Sequence, residues 1–448
     1  MAVHPIDFRY GSKEMKEVWE EETKLQKMLE VEAAIAMAQG ELGIIPMEAA
    51  EEINKKASIK FVSLERAKEI ERETRHDIVS MVKAFAEVCD NGAGEYIHFG
   101  ATSNDIVDTS QSLQFKDAIK ILLEKLETLK MELLAKAEEH KTTVCIGRTH
   151  GQHAIPTTYG MKFALWASEL QRHIDRLNAC KNRLCVSMIT GAVGTMAALG
   201  ENGMTIHKRV GELLDLTPVL ISNQVIQRDR HGEFMAILAL IAQTLNKIGI
   251  TVRSMQRTEI KELEEEFDAS KQTGSSTMPH KRNPITFEQI CGLSRVVKAN
   301  ALGEFDNIPL WEERDLTNSS AERCLFPESC VLLDHILNLS IKGMRKLTVN
   351  LQNVQRNLEA TNGLIMAERA MITLANKGMG RQTAYGVVRV CAMKSFEEYR
   401  HLKEVLMEEA EVMKFMNKEE LDNLFDYSTY IGLAPEIVEN VINELKNK

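Results

Sequence analysis

Along most of the chain, apolar residues recur every three or four positions, and the segments that keep this spacing are long. From about 104 onward, Ile119, Leu122, Leu126, Leu129 and Leu133 alternate threes and fours, the 3.5-residue period of a buried seam in a long bundle. A second long helix is predicted over 158–188. A third is predicted over about 232–266, with a seam through Met235, Leu238, Leu245, Ile248, Val252 and Met255. Two more are expected over 285–302 and about 322–347. Ahead of them the pattern predicts shorter helices: 13–39 behind a Ser12 cap, 47–56, one opened by a Ser63 cap, and one after Arg75-His76-Asp77 running through Val79, Val82 and Val88. Beyond about 353 the helices shorten and carry more charge. Helices of roughly 25–40 residues exceed the usual length of about 11–12 and need partners along their whole length. The expectation is an all-α fold in three helical domains: 1–103, a central long-helix bundle over 104–353, and a C-terminal domain over 354–448.

The breaks between the long helices share an unusual composition. One carries His76, a second His98 with Thr102 and Ser103, and a third Thr149 and His150 within Gly147-Arg148-Thr149-His150-Gly151. A fourth is GSSTMPHKRNP, 274–284. It is punctuated by Gly274, Pro279 and Pro284, so it is expected to be a loop, and it carries Ser275, Ser276, His280, Lys281, Arg282 and Asn283. A fifth, 311–323, adds Arg314, Ser319 and Arg323. A nucleophile or base beside fixed cations and hydrogen-bond donors is what chemistry on an anion requires. Breaks at similar heights in a bundle can converge on one ligand.

Composition narrows the class. In 448 residues, 44% are hydrophobic and 27% charged, with 9 Pro and 22 Met, as expected of a helical globular chain. The net charge of −10 disfavours a nucleic-acid partner and requires that any anionic substrate be met by cations gathered locally. No secretory signal and no run of membrane-spanning length is read, so a cytoplasmic location with no membrane partner is expected. The eight cysteines are scattered without a CxxC pair and are expected to be reduced. His150 and His153 stand three apart, but Gly147, Gly151 and Pro156 argue against a helix that would aim both at one metal ion. No HExxH or Cys/His cluster occurs, so no metal is expected.

The loop GSSTMPHKRNP resembles the shared loop of the fumarase/aspartase superfamily, helical lyases that release fumarate by breaking a C–N or C–O bond. Arg9-Tyr10, Arg75-His76-Asp77, His98-Phe99-Gly100 leading into Thr102-Ser103, Gly147-Arg148-Thr149-His150-Gly151, Gln224 with Gln227-Arg228-Asp229-Arg230-His231, and 311–323 follow in order over most of the chain. Together they resemble the branch that acts on succinylated purine nucleotides. The resemblance implies a homotetramer with a twenty-helix core, active sites drawn from three subunits, and no metal or organic cofactor. It implies β-elimination of fumarate from adenylosuccinate and from SAICAR, giving AMP and AICAR.

By the same resemblance Ser275 would be the base and His150 the acid. Glu288 would orient that histidine, and Lys281 and Asn283 would meet the carboxylate that gathers charge. Arg9, Tyr10, Arg314, Ser319 and Arg323 would hold the nucleotide phosphate and purine. Arg75, His76, Asp77, Thr102, Ser103, Thr149, Gln224 and Ser276 would line the rest of the substrate, and His98 would be a second essential histidine. Thr102 and Ser103 also read as a helix cap, and Arg323 and Glu288 as a solvated helix face. Two other readings stand beside this one: a carboxymuconate cycloisomerase or other superfamily member with the same loop, and a helical scaffold without activity. Arg9-Tyr10 and 311–323 distinguish the first, because only a nucleotide phosphate needs them.

Overall fold

The structure is a computed structural model, and it describes residues 4–267, 277, 278 and 280–448. The protein is mostly helical, with nineteen α-helices among the described residues. The longest are Ser103–Glu139, Tyr159–Leu184, Asp229–Met255 and Thr317–Arg345, followed by Glu21–Glu41 and Ile285–Phe305 at 21 residues each. The seam read from the spacing is buried. Ile119, Leu122, Leu126, Leu129 and Leu133 are all fully inaccessible, each stabilising the fold by about 1.5–3 kcal/mol relative to exposure. The Asp229–Met255 and Thr317–Arg345 helices are long and apolar enough to cross a membrane by length and composition, contrary to the expectation that no such run exists. Half of the most apolar stretch of the first, and slightly more of the second, is buried inside the protein.

The chain divides into two compact units. The first comprises Met1–Leu126, Arg172–Asn246 and Ile290–Asn338, and the second Glu127–Gln171, Lys247–Gln289 and Leu339–Lys448. In the first unit an aromatic cluster centres on Phe115, which packs edge-on against Trp19, His231, Phe234 and Phe326 at 5.0–5.7 Å. A short parallel pairing of Val186–Ser187 with Thr217–Pro218 covers a small core of Val186, Met188, Val219 and Ile226. In the second unit an antiparallel hairpin joins Val144–Thr149 to Gln152–Thr158, and Leu263–Glu264 pairs with Thr348–Val349.

Helix starts follow their caps. The Ser12 side chain accepts from Met15 N–H, and Ser63 accepts from Arg66 N–H. Elsewhere the boundaries differ from those expected. The helix expected over 13–39 is two, Lys13–Trp19 and Glu21–Glu41, because Glu20 takes an extended conformation. The break at 144–158 is a hairpin. His150 and Gly151 form its two-residue turn with φ of 53° and 74°, the backbone that matches the twist of paired strands. The Gly203–Leu214 helix was not anticipated.

The third long helix stops at Met255, well short of 266. The chain turns there through Lys261 (φ 52°), and Glu262 enters a buried cluster of polar partners, so tertiary pairing overrides a helical pattern. The last long helix begins at Thr317, earlier than expected, and takes Ser319 and Arg323 into its first two turns.

Candidate active site

In the first unit the helices end where the polar motifs stand. His76 caps the Asp77–Ala86 helix, its Nδ1 accepting from Val79 N–H at 3.4 Å. Arg75 before it is left-handed, with φ 54°. Asp77 accepts from Arg323 Nη2 at 3.1 Å, so the Arg75-His76-Asp77 turn and the start of the Thr317–Arg345 helix are joined. Ser319 lies one turn before Arg323 on that helix. Lys24, on the Glu21–Glu41 helix, is held below the ordinary lysine range, first by burial and then by the charge of Arg323, with Asp77 opposing. Sequence reasoning missed Lys24, which looks like any solvated lysine on an amphipathic helix.

Gln224 links two segments. Its amide nitrogen donates to Ala192 O at 2.8 Å, and its oxygen accepts from Arg314 Nη1 at 2.8 Å. Beneath it Arg228, almost fully buried, bonds Asp108 on one side and Glu322 on the other, and also donates to Ile226 O at 2.7 Å. Glu322 in turn accepts from Asn318 at 2.8 Å. These bonds root the segment carrying Gln224 and the helix start carrying Ser319 and Arg323 in one buried ionic network.

His98 is also left-handed (φ 63°), and its Nδ1 lies 2.7 Å from Glu32 Oε1. Burial disfavours its charged form, but the Glu32 bond and the charges of Glu32 and Asp105 outweigh this, and its pKa is raised. Asp105 is fully buried and accepts from the N–H groups of Thr102 (2.9 Å), Thr190 (2.8 Å) and Gly191 (3.1 Å). Burial pushes its carboxyl up to about 6, against those three bonds. Thr102 therefore sits at the helix start through its backbone, while the Thr102 and Ser103 side chains are half-buried. Sequence reasoning also missed Glu32, whose one signal is a lone carboxylate in the apolar run VEAAIAMA. Asp105 carried no signal beyond a good position in a first helical turn.

The N-terminal segment lies along the Thr317–Arg345 helix. Tyr10 packs on His335 with ring centres 5.0 Å apart, and Ser12 N–H donates to the buried Asp334 at 2.8 Å. Tyr10 thus meets that helix twelve residues, ~18 Å along the axis, beyond Arg323. No hydrogen bond, ion pair or ring contact joins Arg9 or Tyr10 to Arg314, Ser319 or Arg323 within the chain.

In the second unit Thr149 and His150 are exposed at the hairpin tip. Lys281 is exposed in non-helical chain, with its N–H on Met278 O at 3.1 Å. Arg282 pairs with Glu264 at 2.8 Å and lies over the Phe267 ring. Asn283 directly precedes Pro284 and the Ile285–Phe305 helix, on which Glu288 is exposed. No hydrogen bond joins His150 to Glu288 within the chain. Ser275 and Ser276 lie outside the described residues. All eight cysteines are free thiols, and burial raises those of Cys145, Cys180 and Cys185 to about 12, as inert packing groups.

The family profile described as Lyase matches residues 8–298, which places this arrangement of long helices and polar helix ends in the fumarase/aspartase class of lyases. A second profile, Adenylosuccinate lyase C-terminus, matches residues 363–441. Adenylosuccinate lyase of Methanocaldococcus jannaschii is 72% identical over 448 residues, covering 100% of this chain and 97% of that protein. The protein of the same description from Methanothermobacter thermautotrophicus is 58% identical, covering 99% of each. Among solved structures, a 3-carboxy-cis,cis-muconate lactonizing enzyme from Pseudomonas putida superposes with a TM-score of 0.89 at 33% identity, covering 99% of each chain. The chain belongs to the adenylosuccinate lyase family.

Proposed function

We propose that the protein is a carbon–nitrogen lyase of purine nucleotide synthesis that eliminates fumarate from adenylosuccinate, leaving AMP, and from SAICAR, leaving AICAR. The observation that carries this reading is the 72% identity over the whole chain to a relative of that description. The fold alone is shared with a muconate enzyme.

In the proposed reaction Ser275 takes a proton from the succinyl Cβ. The electron pair is held in the adjacent carboxylate, then forms the new C=C bond as the C–N bond breaks. His150 protonates the departing purine nitrogen. A serine base needs cations and hydrogen-bond donors around its alkoxide, and Lys281 and Asn283, which also face the charged carboxylate, fit that need. Arg314, Ser319 and Arg323, with Arg9 and Tyr10, are assigned to the phosphate and purine. The planar guanidinium suits phosphate because it can bond two oxygens. His76, Thr102, Ser103, Thr149 and Gln224 are assigned to the succinyl end, with Arg75, Asp77 and Ser276 beside them. His98 serves as a second essential histidine, its pKa raised, against its burial, by the Glu32 bond and charge. No cofactor or metal enters this scheme.

Two features support a homotetramer with sites shared among subunits. His150 and Glu288 are both exposed and unjoined within one chain. Leu165, Leu240, Ile250 and Leu302 leave apolar positions of the long helices uncovered, as expected of a core completed by other copies. The three helical domains over 1–103, 104–353 and 354–448 and a cytoplasmic location belong to the same proposal.

Purified protein given adenylosuccinate is expected to release fumarate and AMP. Consumption of carboxymuconate with no fumarate formed from adenylosuccinate would overturn the assignment. Ser275→Ala is expected to abolish turnover while substrate still binds, and wild-type rates in that variant would move the base elsewhere.

A further inference from the structure

The short segment at 262–265, in the second unit, carries three carboxylates, and each holds a different part of the machinery assigned above. Glu262 is fully buried. It accepts from Arg148 Nη2, from Tyr159 OH at 2.6 Å and from Asn357 Nδ2 at 2.8 Å. Its backbone is fixed as well: its N–H donates to Met255 O, and its carbonyl accepts from Asn350 N–H at 2.8 Å.

Arg148 stands on the hairpin strand two residues before His150, just past the irregularity between Ile146 and Arg148 that re-aims the strand. Glu264 holds Arg282, the residue between Lys281 and Asn283. Glu265 accepts from the N–H groups of Thr286 at 3.2 Å and Phe287 at 3.4 Å, capping the helix that carries Glu288.

We propose that Glu262 is a positioning residue for the acid. Its buried carboxylate clamps Arg148 and so fixes the hairpin tip that presents His150. This inference rests on the reading of His150 as the acid. The body of the hairpin packs against the Leu351–Glu359 and Ala434–Leu445 helices, but its tip at Thr149 and His150 is exposed, and the bond from Arg148 to Glu262 lies two residues from His150. A guanidinium that donates Nη2 to a dry carboxylate and Nη1 to Met255 Sδ at 3.6 Å constrains that tip. Burial favours the neutral acid at Glu262, but the bonds from Arg148, Tyr159 and Asn357 outweigh it and keep the carboxylate charged. The clamp is therefore an ion pair, and its removal leaves Arg148 without its partner.

The test is Glu262→Gln, which keeps the shape and removes the charge, measured alone and in a His150→Ala background. Displacing an acid by about 1 Å costs on the order of a hundredfold, so kcat is expected to fall between about ten- and a hundredfold while KM changes much less. In the His150→Ala background the same substitution is expected to cost nothing further, because the group it positions is gone. A merely structural role would lower both backgrounds alike. Equal losses in the two backgrounds, or wild-type kcat in Glu262→Gln, would overturn the proposal. Should Glu262→Gln fail to fold, Arg148→Lys, which keeps the charge but loses the fork, is read the same way. Wild-type turnover in His150→Ala alone would instead overturn the acid assignment beneath it, so the two failures are distinguishable.

Discussion

Glu304 offers the sharpest test of the buried ionic network that roots the substrate-binding segments. It is fully buried on the Ile285–Phe305 helix, its Oε2 accepts from Asn307 at 2.8 Å, and its Oε1 has no partner. Burial first, and then the charge of Glu322, raise its pKa from 4.5 to about 8, against the Asn307 bond and Arg228. The sign follows directly. Between pH 4.5 and about 8 the folded protein holds a proton that the unfolded chain has released. Stability from this group is therefore complete below 4.5, falls as pH rises, and is lost above about 8. At about 1.36 kcal/mol per pH unit, the interval is worth on the order of 5 kcal/mol per protomer.

Glu304→Gln keeps the acceptor for Asn307, never ionises, and offers an amide donor where Oε1 had no partner. The variant is expected to match wild type near pH 5 and to become progressively more stable toward pH 8–9. Thermal unfolding midpoints of both proteins, taken every half unit from pH 5 to 9, measure the gap. Curves that run parallel across that range would refute the reasoning, because they would mean that Glu304 titrates alike folded and unfolded.

Two further predictions concern the site. Glu32→Gln removes the carboxylate that raises His98. The imidazole is expected to titrate at lower pH by NMR, and the stability it contributes below about 6.5, normally lost as pH rises through its raised value, should shrink; an unmoved titration would show that Glu32 does not set it. Gly11 has φ 83°, and a Cβ there would stand 2.3 Å from Val331 Cγ1. Gly11→Ala should therefore weaken the docking of the Arg9-Tyr10 segment by about 2 kcal/mol or more and raise KM for the nucleotide roughly tenfold or more, whereas an unchanged KM would remove Arg9 and Tyr10 from substrate binding.

Much of the chemistry was legible in the sequence because it sits where helices end. Glycines, prolines and small polar residues mark those ends, and functional side chains placed there interrupt a clear 3.5-residue rhythm. Thus Arg75-His76-Asp77, His98, Thr149-His150 and 311–323 could be picked out as breaks. What could not be read were the groups that hold these side chains from within elements: Glu32 and Lys24 inside one helix, Asp105 in a first turn, and Glu262 beyond Met255. A carboxylate on a helical pattern looks solvated until the fold buries it.

The sequence by itself determined the helical class, the buried seams, the caps at Ser12 and Ser63, and the family, since each depends on local spacing or on motifs in order. Only the tertiary structure decided that 144–158 is a hairpin with His150 at its turn, and that the third long helix ends at Met255. It also decided that Arg228 binds two carboxylates and Glu262 three donors. Those outcomes turn on pairing residues far apart in the chain, where the cost of burying a charge is offset only by partners that folding brings together.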